Sequence, residues 1–301
     1  MGRFFTSVAQ WIMALKEQPM TNTVTAKQLK NEQRHDRNDD TKLGMLRELW
    51  DYRELFYFLT WRDVKVRYKQ TVLGVLWAII QPFFTMVVFT VLFGQLANIP
   101  SDGIPGPIFY FSALLPWIFF SSTLSNAGMS LVSNAGLLTK IYFPRIILPA
   151  TAALVSFVDF LIGSVMLVGF VIYYQIPLGW NLILWPTLVV PLVLLALGVG
   201  MFLAALNVKY RDIKYAIPFG IQLWMFLTPI IYPTSMIPER FQWLMALNPL
   251  TGLIEGFRYA LAPGRIVDWS HLLISLAMTL VVFAVGVAYF KRTEKAFADI
   301  I

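Results

Sequence analysis

The sequence predicts an all-α integral membrane protein. It has six transmembrane helices, an N-terminal amphipathic helix at the membrane interface, and an outer re-entrant helical hairpin before the last span. Three observations carry this expectation. Of 301 residues, 57% are hydrophobic and 14% charged, with a mean hydropathy of +0.64; soluble domains are about 25% charged. The apolar segments are continuous over about 18 residues or more, enough to cross a bilayer as helix, and they lack the ~10-residue alternation of barrel strands. The cations gather in alternate connections.

Residues 1–45 read as a cytoplasmic N-terminal extension, partly flexible. Its stretch "FFTSVAQWIMAL" is broken by Ser7 and Gln10 and lacks a small-residue cleavage site, so it makes a poor signal peptide. The opening "MGRFFT" fits a myristoylation pattern formally; a surface-lying helix or packing arm is the simpler reading. Residues 21–42 are polar, mixed in charge and linker-like.

Residues 46–70 predict the interface helix. Tyr57, Trp61, Val64 and Tyr68 recur at spacings of four, three and four, one face of a helix. Arg62, Lys65 and Lys69 form a basic stripe beside them. Aromatics at headgroup depth and cations toward phosphate suit a helix lying in the interface among membrane lipids.

Residues 71–301 form the transmembrane domain. The expected spans are Leu73–Ala97, Ile108–Val132, Ile146–Tyr174, Leu182–Leu206, Tyr215–Tyr232 and Leu272–Phe290. Each reaches across a ~30 Å hydrocarbon layer at ~1.5 Å per residue, the fifth only just. With the N-terminus inside, 21 of the 24 lysines and arginines fall on the inner side. Restricting the long tail to residues near the first span still leaves 13 inside against Arg240, Arg258 and Arg265 outside. Both termini are therefore expected in the cytoplasm. Pro233–Gly264 is apolar but holds four prolines, Glu239, Arg240, Glu255 and Arg258. Two short helices that dip into the outer leaflet and return suit it, provided protein covers their broken backbone. Glu255 and Arg258, three apart, can pair on one helix face.

Several chemistries are excluded. With no cysteine there is no disulfide or thiolate site, and His35 and His271 are too few for a histidine metal cluster. No phosphate loop exists, nor any Gly-Lys pair, dinucleotide fingerprint, H-E-x-x-H or G-x-S-x-G motif. The net charge of +7 follows membrane topology and does not imply nucleic acid. Asp159 is the one clear acid inside a span, with no base beside it in sequence. Ion-coupled transporters keep several such groups, so a helix-to-helix hydrogen-bonding role suits Asp159 better than ion coupling. The chain reads as a multi-span membrane component without its own engine.

An ordered set of segments carries a resemblance: "FLTWRDVKVRYKQTVLGVLWAIIQPF", "LLTKIYFPRIILP", "LNVKYRDIKYAIPF", "NPLTGLIEGFRYAL" and "AYFKRTEKAFADII". From about Leu46 to Ile301 the chain resembles the membrane subunit of type-2 ABC exporters for polysaccharides, the permeases for O-antigen, capsule and teichoic acid. The resemblance implies a homodimer in the bacterial inner membrane, served by two separate ABC ATPase subunits. ATP and Mg would sit on those partners, with no cofactor or metal on this chain. The substrate would be a lipid-linked polysaccharide, O-antigen foremost.

The resemblance also nominates residues. The loop Thr139, Lys140, Ile141, Tyr142, Phe143, Pro144 and Arg145 would couple to the ATPase. Tyr142 and Phe143 would be its apolar knobs, the two cations its anchors, Pro144 the end of its short helix and Pro149 the shaper of the next span. On the interface helix the candidates are Trp61, Arg62, Lys65, Arg67, Tyr68 and Lys69; the cations Arg62, Lys65, Arg67 and Lys69 would face lipid phosphate, the ATPase or the carrier pyrophosphate. Lys209, Arg211 and Asp212 form a second cytoplasmic loop, for the ATPase or a local salt bridge. The first and fifth spans would line the glycan channel. Trp77, Gln81, Phe84 and Val88 share one face, and Tyr215, Phe219, Gln222 and Phe226 share another. Rings would meet sugar C–H faces while amides bond hydroxyls. A permease for a drug or lipid, a membrane-embedded acyl- or glycosyltransferase, and a scaffold or channel working without ATP are the alternatives. The transferase would need paired acids or a base at one membrane face, which the sequence does not assemble.

Overall fold

A computed structural model describes residues 50–69, 74–177, 179–262, 268–294 and 297; the extension 1–45 lies outside them. The elements below all belong to one unit, Tyr52–Ile301. In chain order they are α1 (Arg53–Lys69), α2 (Trp77–Phe89), α3 (Gly106–Ser133), α4 (Ile147–Tyr173), α5 (Leu184–Lys209), α6 (Ile213–Phe226), α7 (Glu239–Ala246), α8 (Pro249–Ala260) and α9 (Trp269–Glu294). A single 3₁₀ turn precedes α2, and the π-helical stretch Thr90–Leu96 continues it. No strand occurs among the described residues.

Five of these segments are long and apolar enough to cross a membrane: Gly74–Leu96, Gly106–Ser133, Ile147–Tyr173, Trp180–Lys209 and Trp269–Glu294. The shortest has 23 residues, about 35 Å of helix against a ~30 Å hydrocarbon core. The chain is a multi-pass membrane protein. Segments expected at Ile108–Val132, Ile146–Tyr174, Leu182–Leu206 and Leu272–Phe290 coincide with α3, α4, α5 and α9 to within a few residues.

The expected span Tyr215–Tyr232 differs. Its helix, α6, stops at Phe226 after 14 residues, about 21 Å. Turns follow from Leu227 to Tyr232. Pro229 and Pro233 explain the break, because proline donates no N–H and turns the preceding residue away from helix. Pro233–Gly264 forms the two short helices α7 and α8, as far as Ala262.

The core centres on α3, which packs against α2, α4, α5, α6 and α8. It is the most enclosed of the five long segments and the least apolar. The two facts belong together: a helix shielded from lipid by protein can carry serines, a threonine and an asparagine. Asn207 of α5 donates to the Gly128 carbonyl of α3 at 3.0 Å, fastening two central helices through one buried amide.

Glycine sets the closest approach. A Cβ at Gly198 of α5 would stand 2.6 Å from the Phe283 Cα of α9, and one at Gly286 would run into the Gly198 carbonyl. Helices in lipid gain from such backbone contact because burial against a neighbour offers no hydrophobic gain over acyl chains. A Gly286→Val substitution should lower the melting temperature of the detergent-purified protein by about 5–10 °C, the scale of about 2–3 kcal/mol of overpacking. Gly169→Ala, where added bulk meets nothing within 4 Å, should leave it unchanged in the same fluorescence-monitored melt.

Candidate functional site

A cavity of about 630 Å³ opens among α1, α2, α3, α4 and α6. Its polar groups come from spacings that the helices impose. On α3, the neighbours Ser121 and Ser122 face it, with Ser125 one turn further on. On α4, Ser156 and Asp159 are three apart on the same face. The Ser122 and Ser156 hydroxyls stand 3.2 Å apart, and the Asn126 amide donates to Ser122 at 3.2 Å. The opposite wall is aromatic and amide: Trp77 and Gln81 of α2.

At one end of the cavity α1 meets α4. Arg67 Nη1 lies 2.8 Å from Asp159 Oδ2, and the Tyr68 hydroxyl donates to Asp159 Oδ1. Burial, and then the carboxylate beside it, raise the Tyr68 phenol above its ordinary value, so it stays a donor at physiological pH. Asp159 thus has the base that its own span lacks, supplied by a helix 91 residues away along the chain. Its surroundings match the helix-to-helix bonding role.

The structure divides the expected channel faces. Trp77 and Gln81 line the cavity, but α6 lines it with Pro218, Ile221 and Met225. The face of Tyr215, Phe219, Gln222 and Phe226 points outward and is exposed, as are Phe84 and Val88 of α2. Within one chain the two faces do not meet.

Three other groups of expected residues fall at the end of the bundle where α1 lies. Arg62 bonds Asp63 at 2.7 Å and the Asn134 amide oxygen at 3.3 Å, placing α1 beside the connection between α3 and α4. Trp61, Lys65 and Lys69 are exposed. The expected aromatic face of α1 is split: Tyr57 and Trp61 point outward, while Tyr68 turns to Asp159. Lys209, Arg211 and Asp212 form an exposed connection between α5 and α6, where Lys209 lies against the ring of Tyr210.

The connection before α4 corrects two expectations. Tyr142 is 91% exposed with Thr139, Lys140 and Ile141 beside it, but Phe143 is 4% exposed and packs into the protein's own interior. Only one of the two proposed knobs projects. The short helix is Ala135–Leu138, which ends well before Pro144. Pro144 precedes α4 instead, and Pro149 occupies its first turn, where a missing N–H costs nothing. Arg145 ties this connection to α9: its guanidinium donates to the Glu294 carbonyl and lies 5.8 Å from the Phe297 ring centroid.

Glu255 and Arg258 pair at 2.9 Å, as their spacing allows, but deep inside the protein. Sequence reasoning missed the serine row, the partners of Asp159 and the role of Asn248. Ser121-x-x-x-Ser125 and Ser156-x-x-Asp159 were the available signals for the first two.

Comparison with known proteins gives one consistent result. Residues 54–262 match the ABC-2 type transporter family. An O-antigen export system permease protein RfbA from Myxococcus xanthus is 32% identical, covering 85% of this chain and 99% of that protein. A protein of the same name from Klebsiella pneumoniae is 29% identical, over 82% of this chain and 95% of its own length. The polysialic acid transport protein KpsM of Escherichia coli is 25% identical, over 78% and 92%.

The pair of Arg67 and Asp159 is half-open to the cavity, so its worth should be that of a partly screened pair. A double-mutant cycle with Arg67→Gln and Asp159→Asn, read by thermal melting, should give a coupling of about 1 kcal/mol. Additive losses would mean that the two side chains do not interact.

Proposed function

Because this chain belongs to the ABC-2 type transporter family, we propose that it is the membrane subunit of an ATP-driven exporter of lipid-linked polysaccharide, O-antigen foremost. The observation that carries this reading is the near full-length match to an O-antigen export permease. On this reading the protein sits in the bacterial inner membrane as a homodimer with two separate ABC ATPase subunits. Those partners hold ATP and Mg, in keeping with a sequence that has no Gly-Lys pair and so no phosphate loop. Both termini are cytoplasmic. α1 lies in the interface, α6 with its turns makes the sixth crossing, and α7 and α8 dip into the outer leaflet and return.

The geometry supports distinct tasks. Energy enters at the face bearing Tyr142, Lys140 and the connection Lys209–Asp212, where a cytosolic partner finds an exposed ring framed by cations. Exposed Trp, Tyr and Arg groups seated in a partner's pocket dominate protein interfaces. The cations Arg62, Lys65 and Lys69 suit the phosphates of lipid headgroups or of the glycan carrier. Trp77 and Gln81 at the open cavity wall with exposed Phe84 beside them, and the outward face of Tyr215, Phe219, Gln222 and Phe226, combine rings with amides. Lipid contact does not call for glutamine, which costs free energy in hydrocarbon. Facing each other across a dimer, they form a wall on which sugar C–H faces and hydroxyls find partners while the chain slides.

The test is purification of the tagged protein from its native membrane. A co-purifying ATPase with a phosphate loop is expected, and deletion of this chain should abolish polysaccharide at the cell surface. Tyr142→Asp should lower the ATPase yield at least about tenfold while the permease itself folds and inserts, because an exposed ring is lost and no core contact changes. Phe143→Asp should instead lower the amount of folded permease. Full surface glycan in the deletion strain would overturn the reading.

A further inference from the structure

A second cavity, about 320 Å³, lies at the end of the bundle away from α1, between α7, α8 and the start of α9. None of the groups assigned so far to export lines it except Glu255. A volume of about 300 Å³ is at the small end of ligand sites, too small for a lipid tail or a peptide.

Its wall carries an unsatisfied group. The Thr251 hydroxyl is on the wall, the residue is 1% exposed, and the oxygen has no hydrogen-bond partner among the described residues. Some threonines of this bundle donate one turn back to a helical carbonyl, as Thr228 does to Trp224 and Thr293 to Tyr289; Thr90, Thr123, Thr151 and Thr279 share the unmatched state of Thr251, but of these five only Thr251 lines this cavity. Thr251 stands in the first turn of α8, where the Asn248 carbonyl one turn back accepts from the Thr251 backbone N–H at 3.0 Å and not from its hydroxyl. A buried hydroxyl left unmatched costs free energy, and a ligand hydroxyl supplies what it lacks.

The charges decide the ligand's class. Asp102, Glu255 and Asp268 all line the cavity, yet each already has a donor. Asp102 accepts from the Ser235 hydroxyl at 3.0 Å and Glu255 from Arg258 at 2.9 Å; Asp268 accepts from the Ser270 hydroxyl at 2.8 Å and from the Ser270 and His271 N–H groups at 3.1 and 3.3 Å, with its other oxygen 2.6 Å from His271 Nδ1. The Ser270 bond, with His271, holds the Asp268 carboxyl below its ordinary value. No cluster of three acid or histidine groups fit for a metal occurs among the described residues. A carboxylate has about four acceptor sites; those of Asp268 are filled, and Glu255, bonded through one oxygen to Arg258, keeps further lone pairs. They suit hydroxyl donors better than a bare cation. Gln242 and His271 add mixed donor and acceptor capacity, and the half-buried Tyr259 adds a ring.

We propose that this cavity binds a single pyranose residue of the exported glycan. The site rests on the exporter reading for the source of the sugar, but its chemistry stands on the cavity alone. Hydroxyls would donate to Glu255 and Asp102 and accept from Thr251, with one C–H face against Tyr259.

The test uses the protein purified in detergent with whatever subunits accompany it. The probes are the monosaccharides released by acid hydrolysis of the producing cell's own surface polysaccharide, at millimolar concentration, read by saturation-transfer NMR. At least one sugar should show transfer. Ser235→Trp, at an exposed rim position, should abolish it by filling the mouth, with Thr234→Trp as a second blocking variant. Thr251→Val should weaken the apparent affinity roughly fivefold, the scale of one hydrogen bond. No transfer, or transfer that neither blocking variant removes, would overturn the site while leaving the exporter reading intact. Sugar binding that the blocking variants remove, in a protein whose deletion leaves surface glycan unchanged, would sink the exporter reading and the word "exported", but not the site.

Discussion

The structure depends on one buried cation. Arg258 is 0% exposed, and its guanidinium lies 3.8 Å from the centroid of the Phe109 ring. It donates to Glu255 at 2.9 Å and to the Ile230 carbonyl at 2.7 Å, with a longer bond to the Tyr232 carbonyl at 3.4 Å. A charge taken out of water needs both a counter-charge and satisfied donors. Glu255 supplies the first, and two backbone carbonyls supply much of the second. Those carbonyls belong to the stretch where α6 has stopped being a helix. Without water to solvate them, such carbonyls need internal partners. Arg258 and the broken end of α6 therefore resolve each other's deficit. Phe109 brings α3 into the same contact, so three elements meet on one side chain.

Asn248 completes that repair. Its side-chain oxygen accepts from the Leu250 N–H and so caps α8, and it also accepts from the Trp224 indole at 3.0 Å. Its amide nitrogen donates to the Leu227 carbonyl and the Thr228 hydroxyl. One amide thus starts α8 and finishes α6. The pair Arg258 and Asn248 explains how a chain interrupted by Pro229 and Pro233 persists among lipid-length helices. The interruption is held from α8 and its cap at the Leu227, Ile230 and Tyr232 carbonyls and the Thr228 hydroxyl.

The sequence showed this logic unevenly, for physical reasons. Long apolar runs made α3, α4, α5 and α9 plain, because span length and continuity follow from bilayer thickness. The Glu255 and Arg258 pair was legible because helix geometry places residues three apart together. Its burial was not, since that depends on α3 and the turns after α6. The end of α6 was marked by Pro229, yet an apolar stretch running on to Tyr232 outweighed that signal. In the loop before α4 there is no periodicity to tell Tyr142 from Phe143, and neighbouring aromatics there face opposite ways. Asp159 looked isolated because its partners, Arg67 and Tyr68, come from a helix far off in the chain. Tyr215, Phe219, Gln222 and Phe226 do share one exposed face of α6. What lies against that face is not encoded in spacing.

The two ends of the molecule are joined by contacts of little slack. Arg145 fastens the loop bearing Tyr142 to the Glu294 carbonyl at the end of α9. α9 then runs the full depth of the bundle. Halfway, Gly286 and Gly198 bring its backbone against α5, leaving no side chain between them to yield. Near its start, Ser275 accepts from the Gly252 N–H of α8 at 3.0 Å, again at a glycine where no Cβ would fit. α8 carries Glu255 and Arg258. On the exporter reading, a partner that grips Tyr142 holds a rod whose far end is pinned to the element that carries the buried cation. Side chains in a close-packed interior do not absorb displacement gradually. A shift of α9 at the docking end must therefore either carry α8 with it or break the Ser275 bond, and the glycine contacts favour movement as one body. The softer boundary lies elsewhere, at the cavity where α1 and α2 meet α4 through a half-exposed ion pair and a row of hydroxyls. Relative motion costs least there, because water that enters can replace each bond it breaks.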